Sequence, residues 1–252
     1  MANSIEISSL TGGYEYNTVF EKISLSFPKG TFIALAGPNG SGKSSLLKFL
    51  YKQLKPQSGV IWVDGVDLVT LKQQELAKNV GFVPQNGTLD FSFTVEETVA
   101  MGRYANPQKD DKEQIEEAMK TCSILTLRDT LVTQISGGEL QRTLLARALA
   151  QDGKILLLDE PVNHLDIAHQ RSVMHLLQTL VEKGYTVISV LHDLLLAQAY
   201  SSWIIFLKEG RIVTEGPTDE VVTEAVLKEV YNIESHRLFD PTLGKQLLIP
   251  RW

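Results

Sequence analysis

The strongest constraint on this chain is the octapeptide at residues 37–44, Gly-Pro-Asn-Gly-Ser-Gly-Lys-Ser, which is a complete GxxxxGK[ST] phosphate-binding loop. The loop follows the apolar run Phe32–Ala36, which has the composition of a buried strand, and precedes a helical pattern at residues 45–50. Because strand, loop and helix occur in this order, the sequence predicts that the phosphates of a nucleotide rest on the loop.

The residue types of the loop explain how it would hold phosphates. Gly37, Gly40 and Gly42 permit backbone conformations and a close approach that side chains would block, so successive N–H groups can surround a polyphosphate. We expect Lys43 to reach the β- and γ-phosphates and the hydroxyl of Ser44 to ligate Mg²⁺. The predicted nucleotide contacts here are Gly37, Pro38, Asn39, Gly40, Ser41, Gly42, Lys43, Ser44 and Ser45.

Hydrophobic patterning predicts two kinds of sheet. Residues 4–10 and 23–27 alternate between apolar and polar side chains, which is typical of a small antiparallel sheet. Short apolar runs of the kind buried in parallel sheets then recur at residues 32–36, 80–83, 155–158 and 186–191. Helical patterns separate these runs, so the sequence predicts an open α/β sheet.

The region between the second and third apolar runs has a different character. It carries helical patterns at residues 95–103, 112–123 and 140–151 and no convincing strand, which indicates a helical insertion. We therefore expect a single domain made of four parts. These are a mainly antiparallel β-subdomain at residues 1–30, a nucleotide-binding core at 31–88 and 151–215, a helical subdomain at 89–150 and a C-terminal segment at 216–252.

Polar residues follow three of the apolar runs: Gln85, the pair Asp159 and Glu160, and His192. Ligands of open α/β sheets bind at the carboxyl ends of strands, so these side chains are predicted to converge on one Mg-nucleotide. Asp159 would hold Mg²⁺, and Glu160 with His192 would orient the attacking water. Taken singly, Glu160 is equally well a capping acid and His192 a packed core histidine.

A second anion-binding feature occurs at residues 136–139, Ser-Gly-Gly-Glu, before a long helical pattern. Ser136 and Glu139 fit a capping box, in which each side chain satisfies a backbone N–H of the other residue. A glycine-flanked helix start also suits an anion. Since residues 37–44 already account for the phosphates of this chain, the sequence predicts that residues 136–139 contact the nucleotide of a second copy.

Charge and cysteine content exclude several classes. The formal net charge is -6 with a pI near 5.4, and clustered Lys and Arg are absent, so a nucleic-acid partner is not expected. The most apolar long stretch, residues 185–207, contains His192 and Asp193, which argues against a membrane span. The single cysteine, Cys122, lies on a helical pattern, which predicts a packing role in a reducing compartment.

In this combination and order the chain resembles the ATP-binding subunit of ABC transporters along nearly its whole length. The loop at 37–44 resembles the Walker A loop, residues 135–139 the signature sequence, 155–159 the Walker B strand and 163–166 the D-loop. Gln85 resembles the Q-loop glutamine, Glu160 the catalytic glutamate and His192 the switch histidine. The chain departs from the family pattern at Ile135, Glu139 and Val162, where Leu, Gln and Ser or Thr are usual.

The resemblance implies an α/β fold with a P-loop NTPase (RecA-like) core, an N-terminal antiparallel β-subdomain and an inserted α-helical subdomain. It implies ATP and Mg²⁺ as cofactors. The implied catalytic residues are Lys43, Gln85, Glu160 and His192, and the implied Mg²⁺ ligands are Ser44, Gln85 and Asp159. Further implied nucleotide contacts are Ser136, Gly137, Gly138, Glu139, Asp166 and Tyr14. Tyr14 would stack on adenine, with Tyr16 or a strand-edge tyrosine as the alternatives.

The resemblance also implies partners: a second copy, membrane permease subunits and, indirectly, an extracytoplasmic substrate-binding protein, with the chain at the cytoplasmic face of the membrane. The segments 163–167, 191–194 and 216–231 look most like importers of iron-siderophore, haem or cobalamin chelates. Importers of free metal ions and soluble ABC ATPases, such as those of iron–sulfur cluster assembly, are the alternatives. Phe91 and Phe93, beyond the hinge residue Gln85, would grip the permease or else pack the insertion onto the core.

Overall fold

The computed structural model describes residues 2–85, 92–107, 111–241 and 243–251. The strands are β1 (Asn3–Tyr14), β2 (Asn17–Pro28), β3 (Phe32–Ala36), β4 (Ser58–Val63), β5 (Val66–Asp67), β6 (Val80–Val83), β7 (Ile155–Asp159), β8 (Thr186–Val190), β9 (Trp203–Lys208), β10 (Arg211–Pro217), β11 (Ser235–Asp240) and β12 (Lys245–Pro250). The α-helices are α1 (Lys43–Leu50), α2 (Gln73–Ala77), α3 (Val95–Ala100), α4 (Asp111–Thr121), α5 (Gly137–Leu149), α6 (Ile167–Glu182), α7 (Leu194–Tyr200), α8 (Thr218–Val221) and α9 (Glu224–Tyr231).

The central sheet has the strand order β10-β9-β3-β8-β7-β6. Its pairs are parallel except for β10, which returns antiparallel to β9. Every residue of β3, β7 and β8 is buried, as the continuous apolar runs predict for strands covered on both faces. The predicted open α/β sheet is confirmed, and the carboxyl ends of its parallel strands meet at one edge.

Alternate residues of the central strands divide between two hydrophobic cores. On β3, Phe32 and Ala34 pack with the α5 and α6 side, whereas Ile33 and Leu35 pack with α1 and the N-terminal sheet. Each fully buried aliphatic side chain of this kind contributes about 1.5–3 kcal/mol through removal of apolar surface from water. The strand that carries the phosphate loop is thus held from both faces.

The antiparallel sheet is larger than the opening alternation suggests. Its strand order is β2-β1-β4-β5, so β4 and β5, which lie beyond residue 30, pair with the N-terminal strands. Ile5 lies opposite Val63 and Ile7 opposite Ile61, and all four side chains are buried. A strand is stable only beside hydrogen-bonded neighbours, and for β1 one of these neighbours, β4, comes from a distant part of the chain.

The helical region contains α3, α4 and α5, close to the three predicted helices. Helix α3 ends at Ala100 and continues as a 3-10 helix, Met101–Ala105, and α5 begins three residues earlier than the apolar pattern because Ser136 caps it. Among its described residues this region forms no strand beyond an isolated bridge between Thr94 and Leu131. Cys122 is buried as expected, and burial raises the pKa of its thiol.

The C-terminal part holds elements that the sequence patterns did not reveal. Strands β9 and β10 form a hairpin that extends the central sheet, and β11 and β12 form a separate two-stranded ribbon. Helix α9 packs between them. Within the described ranges, the helices are too short or too polar for any of them to cross a membrane.

Candidate functional site: a nucleotide-binding cleft

The phosphate loop adopts backbone conformations that require glycine. Gly37 has φ 146° and Gly42 has φ 105°, both in the region that L side chains rarely adopt. A Cβ atom at Gly37 would lie 2.0 Å from the carbonyl oxygen of Leu207, and one at Gly42 would lie 2.8 Å from the ring of Phe20. The loop therefore packs tightly against β9 and β2, and glycine is required at both positions.

Lys43 closes the loop over its own backbone. Its Nζ atom donates hydrogen bonds to the carbonyl oxygens of Gly37, at 2.7 Å, and Pro38, at 2.9 Å. Burial lowers the pKa of Lys43, against the opposing effect of the nearby carboxylates of Glu160 and Asp159. The ammonium group therefore lies against the backbone of the phosphate loop itself.

Ser44 and Asp159 form the oxygen pair predicted for Mg²⁺. The hydroxyl of Ser44 donates to Oδ1 of Asp159 at 2.8 Å, which joins the start of α1 to the end of β7. Asp159 is 7 % exposed, and desolvation raises the pKa of its carboxyl group. Hydroxyl and carboxylate oxygens are hard donors of the kind that Mg²⁺ prefers, so the residues present fit the ion.

Glu160 is the centre of the site. Its carboxylate accepts hydrogen bonds from Nε2 of Gln85 at 2.7 Å and from Nδ2 of Asn163 at 2.8 Å, and it lies 2.5 Å from Nε2 of His192. The side chain of His192 is 41 % exposed, so it is not a packed core histidine. The partners of the Glu160 carboxylate are side chains rather than orphan helix N–H groups, so it is not a capping acid.

Asn163 makes a contact with Glu160 that the sequence patterns do not predict. The family resemblance places it only in the D-loop segment 163–166, yet its side-chain amide donates to the Glu160 carboxylate three residues earlier. The turn between them is closed by the hydrogen bond from the Asn163 amide N–H to the Glu160 carbonyl oxygen, at 3.1 Å. An amide side chain three residues after a strand-end glutamate is the signal that could have indicated this contact.

Most of these groups, although not Asp159, line a cleft of about 850 Å³, within the range usual for small-molecule sites. Tyr14 lines it and Tyr16, which is 94 % exposed, does not. The hydroxyl of Tyr14 contacts Oγ of Ser45 at 3.3 Å and Nζ of Lys48 at 3.1 Å. The residues around the cleft are Tyr14, Asn17, Val19, Asn39, Gly40, Gly42, Lys43, Ser44, Ser45, Gln85, Glu160, Asn163 and His192.

The segment Ser136–Glu139 and Asp166 lie outside this cleft. Ser136 caps α5 and Glu139 accepts from the Ser136 N–H and hydroxyl, both at 2.8 Å, so the predicted capping box is present. The hydrogen bond from the Ser136 backbone lowers the pKa of Glu139. Asp166 caps α6 and bonds to His169, whose ring would lie 2.4 Å from a Cβ atom at Gly138.

A comparison with known proteins finds a family match over more than half of the chain. Residues 20–163 match the family model for ABC transporters, a span that includes the phosphate loop, Gln85, residues 135–139 and Glu160. The chain belongs to the ABC transporter family. As an ABC ATPase it binds and hydrolyses ATP.

Relatives of this ABC ATPase match over nearly full length. The ferric enterobactin transport ATP-binding protein FepC of Escherichia coli (strain K12) is 41% identical over 248 residues, covering 96% of this chain and 92% of FepC. The hemin import ATP-binding protein HmuV of Rhodococcus jostii (strain RHA1) is 38% identical, covering 92% of this chain and 81% of HmuV. A solved metal-chelate type ABC transporter in an inward-facing conformation superposes with a TM-score of 0.85 at 27% identity, covering 100% of this chain and 98% of the other.

Proposed function

We propose that this ABC ATPase powers the import of a metal chelate, an iron-siderophore or haem, through a membrane permease. The observation that carries the proposal is the 41% identity to the ferric enterobactin transport protein along 96% of the chain. The similarity to a hemin import protein supports the same class of cargo. Soluble ABC ATPases and importers of free metal ions are not favoured by these relatives.

The chemistry follows from the residues of the cleft. Lys43 leaves the carbonyl oxygens of Gly37 and Pro38 and bonds to the β- and γ-phosphates. Ser44, Asp159 and the amide oxygen of Gln85 would hold Mg²⁺, which neutralises charge on the phosphates.

Glu160 orients the attacking water and accepts its proton, because it is the one carboxylate among the described residues that line the cleft, whereas Asp159 bonds to Ser44. His192 donates from the neighbouring strand end and stabilises the charge that develops on the γ-phosphate. Gln85 contacts the same carboxylate, so a change at the γ-phosphate alters the position of the residue that leads into the helical subdomain.

Two copies of the chain complete the site. Ser136, Gly137 and Gly138 begin α5, whose N–H groups suit an anion, yet they do not line the cleft of their own chain. Ile167, beside Asp166, is 83 % exposed at the start of α6, where an apolar side chain suits contact with another protein surface. These features support a dimer in which residues 136–139 and Asp166 of one copy contact the ATP bound by the other.

The helical subdomain carries the surface that we assign to the permease. Met101 and Tyr104 border a groove of about 690 Å³, and Tyr104 is 88 % exposed. Phe93 is 37 % exposed, whereas Phe91 and the rest of 86–91 lie outside the described residues. Exposed aromatic and Met side chains around a groove are typical of protein-protein contacts. Docking here would place the chain at the cytoplasmic face of the membrane.

Reconstitution tests the proposal. The chain, affinity-tagged and purified from detergent-solubilised membranes, should bring with it a polytopic permease. In proteoliposomes, with the extracytoplasmic binding protein supplied, this complex should take up a ferric siderophore or haem only when MgATP is enclosed. Uptake of free Zn²⁺ or Mn²⁺ but of neither chelate, or co-purification with soluble assembly proteins alone, would contradict it.

A further inference from the structure

His169, in the first turn of α6, contacts two segments that lie apart in sequence, and the first of them is the end of segment 163–166. The backbone N–H of His169 donates to Oδ1 of Asp166 at 2.8 Å. The ring Nδ1 also lies 2.8 Å from both carboxylate oxygens of Asp166. These hydrogen bonds lower the pKa of Asp166, so the carboxylate stays ionised and accepts from the ring N–H.

The second segment is the start of α5, which the imidazole of His169 covers. Gly138 is buried there, and the atoms nearest to a Cβ atom built on it are Cδ2, Cγ and Nε2 of the His169 ring. The closest of them would overlap that Cβ atom, so the ring packs directly against the backbone of α5. One side chain therefore fixes Asp166 relative to the segment Ser136–Glu139.

Capping of α6 does not explain the imidazole. The cap needs only the backbone N–H of residue 169, which every residue except proline supplies. The ring adds a second hydrogen bond to Asp166 and the contact with Gly138. Since the side chain of Asp166 is 66 % exposed, the ring holds in one orientation a carboxylate that would otherwise rotate in solvent.

The two segments that His169 joins are those assigned to the partner's ATP. Neither Asp166 nor Gly138 is among the described residues that line the cleft of their own chain. Segment 163–166 also begins at Asn163, whose amide bonds to the Glu160 carboxylate in that cleft. His169 thus lies where a segment leading from the hydrolytic carboxylate meets the helix start that faces the second copy.

We propose that His169 is a positioning residue for the dimer: its imidazole holds Asp166 and the start of α5 in one fixed arrangement, so that both reach the partner's ATP together. This role rests on the proposed dimer that shares its ATP sites. Loss of a hydrogen bond of this kind changes an equilibrium by roughly 3–10-fold. Because each dimer holds two copies of the contact, we expect a change of roughly 10–100-fold in the dissociation constant of the dimer.

The test uses the full chain with Glu160→Gln, which should hold the ATP-bound dimer. Analytical ultracentrifugation in MgATP should show that His169→Ala raises the dissociation constant roughly 10–100-fold. Binding of a fluorescent ATP analogue to the monomer should match the parent, because His169 is not among the described residues that line the cleft. His169→Asn keeps a donor for Asp166 without the ring and His169→Phe keeps a ring without the donor, so both should give intermediate values.

Two further variants examine the contacts themselves. His175→Ala is the matched control, because it removes an exposed imidazole from the same helix that contacts Tyr200 instead of Asp166, and it should leave the dissociation constant unchanged. Gly138→Ala adds the Cβ atom that meets the His169 ring, so it should weaken the dimer more when His169 is present than together with His169→Ala.

The outcomes separate the role of His169 from the dimer on which it rests. If the Glu160→Gln parent forms no ATP-dependent dimer, the shared-site proposal fails and the role of His169 fails with it. If the parent dimerises and His169→Ala has the same dissociation constant, only the role of His169 is wrong. Equal weakening by His175→Ala, or an equal loss of ATP binding by the monomer, would show that the imidazole stabilises the fold and does not position the dimer contacts.

Discussion

Glu160 and His192 meet across two neighbouring strands of the central sheet, with a carboxylate oxygen 2.5 Å from Nε2 of the imidazole. They follow β7 and β8, which are paired in parallel so that Asp159 lies opposite Val190. This register places the ends of the two strands side by side, and the loop residues that directly follow them bring the two side chains together. The sheet therefore sets which residues can meet, and the turn at Glu160 sets the direction of its carboxylate.

Replacing Glu160 by Gln should abolish turnover while preserving ATP binding. The amide has nearly the same shape but cannot accept a proton from water, and loss of a general base costs about 10²–10⁴-fold. We expect the variant to accumulate as an ATP-bound dimer, visible by size-exclusion chromatography, and to release phosphate at least about 100-fold more slowly. Wild-type phosphate release would remove Glu160 from the mechanism.

Replacing Glu139 by Gln should leave ATPase activity intact and change the pH dependence of stability. The capping box lowers the pKa of Glu139, so the ionised carboxylate stabilises the fold above the ordinary glutamate pKa, and this contribution is lost as the pH falls through the lowered value. Near neutral pH the loss of a charge at the start of α5 should cost about 0.3–1 kcal/mol of unfolding free energy. Urea titrations at several pH values measure it, and a stability difference that grows as the pH falls would contradict the assignment.

Replacing Ser41 by Ala should maintain or raise stability, although the residue lies inside the phosphate loop. Ser41 is 1 % exposed, and within the described part of the chain its Oγ atom has no hydrogen-bond partner. Removing an unsatisfied buried hydroxyl should raise the unfolding free energy by up to about 1 kcal/mol, with ATPase activity within about twofold. Ser44→Ala is the matched control and should lose activity, because its hydroxyl bonds to Asp159. An equal loss of ATPase activity in Ser41→Ala and Ser44→Ala would contradict the prediction that only the Ser44 hydroxyl is needed.

Mixed dimers should show whether the two copies share their sites. A Lys43→Ala chain lacks the phosphate contact, and a Ser136→Arg chain lacks the helix start proposed to contact the partner's ATP. In the mixed dimer one composite site loses both groups and the other keeps both, so ATPase activity should recover above either variant alone. Dual affinity tags prove the mixed composition of these dimers. If their ATPase activity does not recover, one intact composite site is not sufficient.

Cysteines at Met101 and Tyr104 should crosslink to a permease loop in native membranes. Both side chains are exposed at the groove of the helical subdomain, and Cys122→Ser removes the only other thiol. Yields should differ between ATP-bound and nucleotide-free membranes, since Gln85 connects this subdomain to Glu160. A cysteine at Leu238, exposed on the C-terminal ribbon, is the control and should not capture the permease. If only the cysteine at Leu238 crosslinks, the docking surface lies on the C-terminal ribbon and not on the helical subdomain.

The local sequence was sufficient to predict the candidate site residues where a buried apolar run ends at a polar residue. Strand β3 coincides with the apolar run Phe32–Ala36, and β7 and β8 differ from their runs by one residue each, so the strand-end residues Asp159, Glu160 and His192 could be predicted together. The parallel sheet makes this possible, because all such ends lie at one edge.

The contacts that escaped prediction depend on distant pairing. Strands β4 and β9 have mixed burial or lie within a longer apolar stretch, and each pairs with a strand that is far away in sequence, β1 and β3 respectively. The amide of Asn163 is near in sequence, but only the turn after Glu160 directs it back onto the carboxylate.

The backbone of Glu160 has φ 52°, a left-handed conformation that a glutamate adopts at a cost of about 1–2 kcal/mol. That conformation lies where β7 turns toward Asn163 and aims the carboxylate into the cleft. A residue that tolerates left-handed backbone, such as Gly or Asn, would relieve the strain and remove the carboxylate that we propose as the general base. We therefore expect such a variant to have no ATPase activity and a higher melting temperature than the wild-type enzyme.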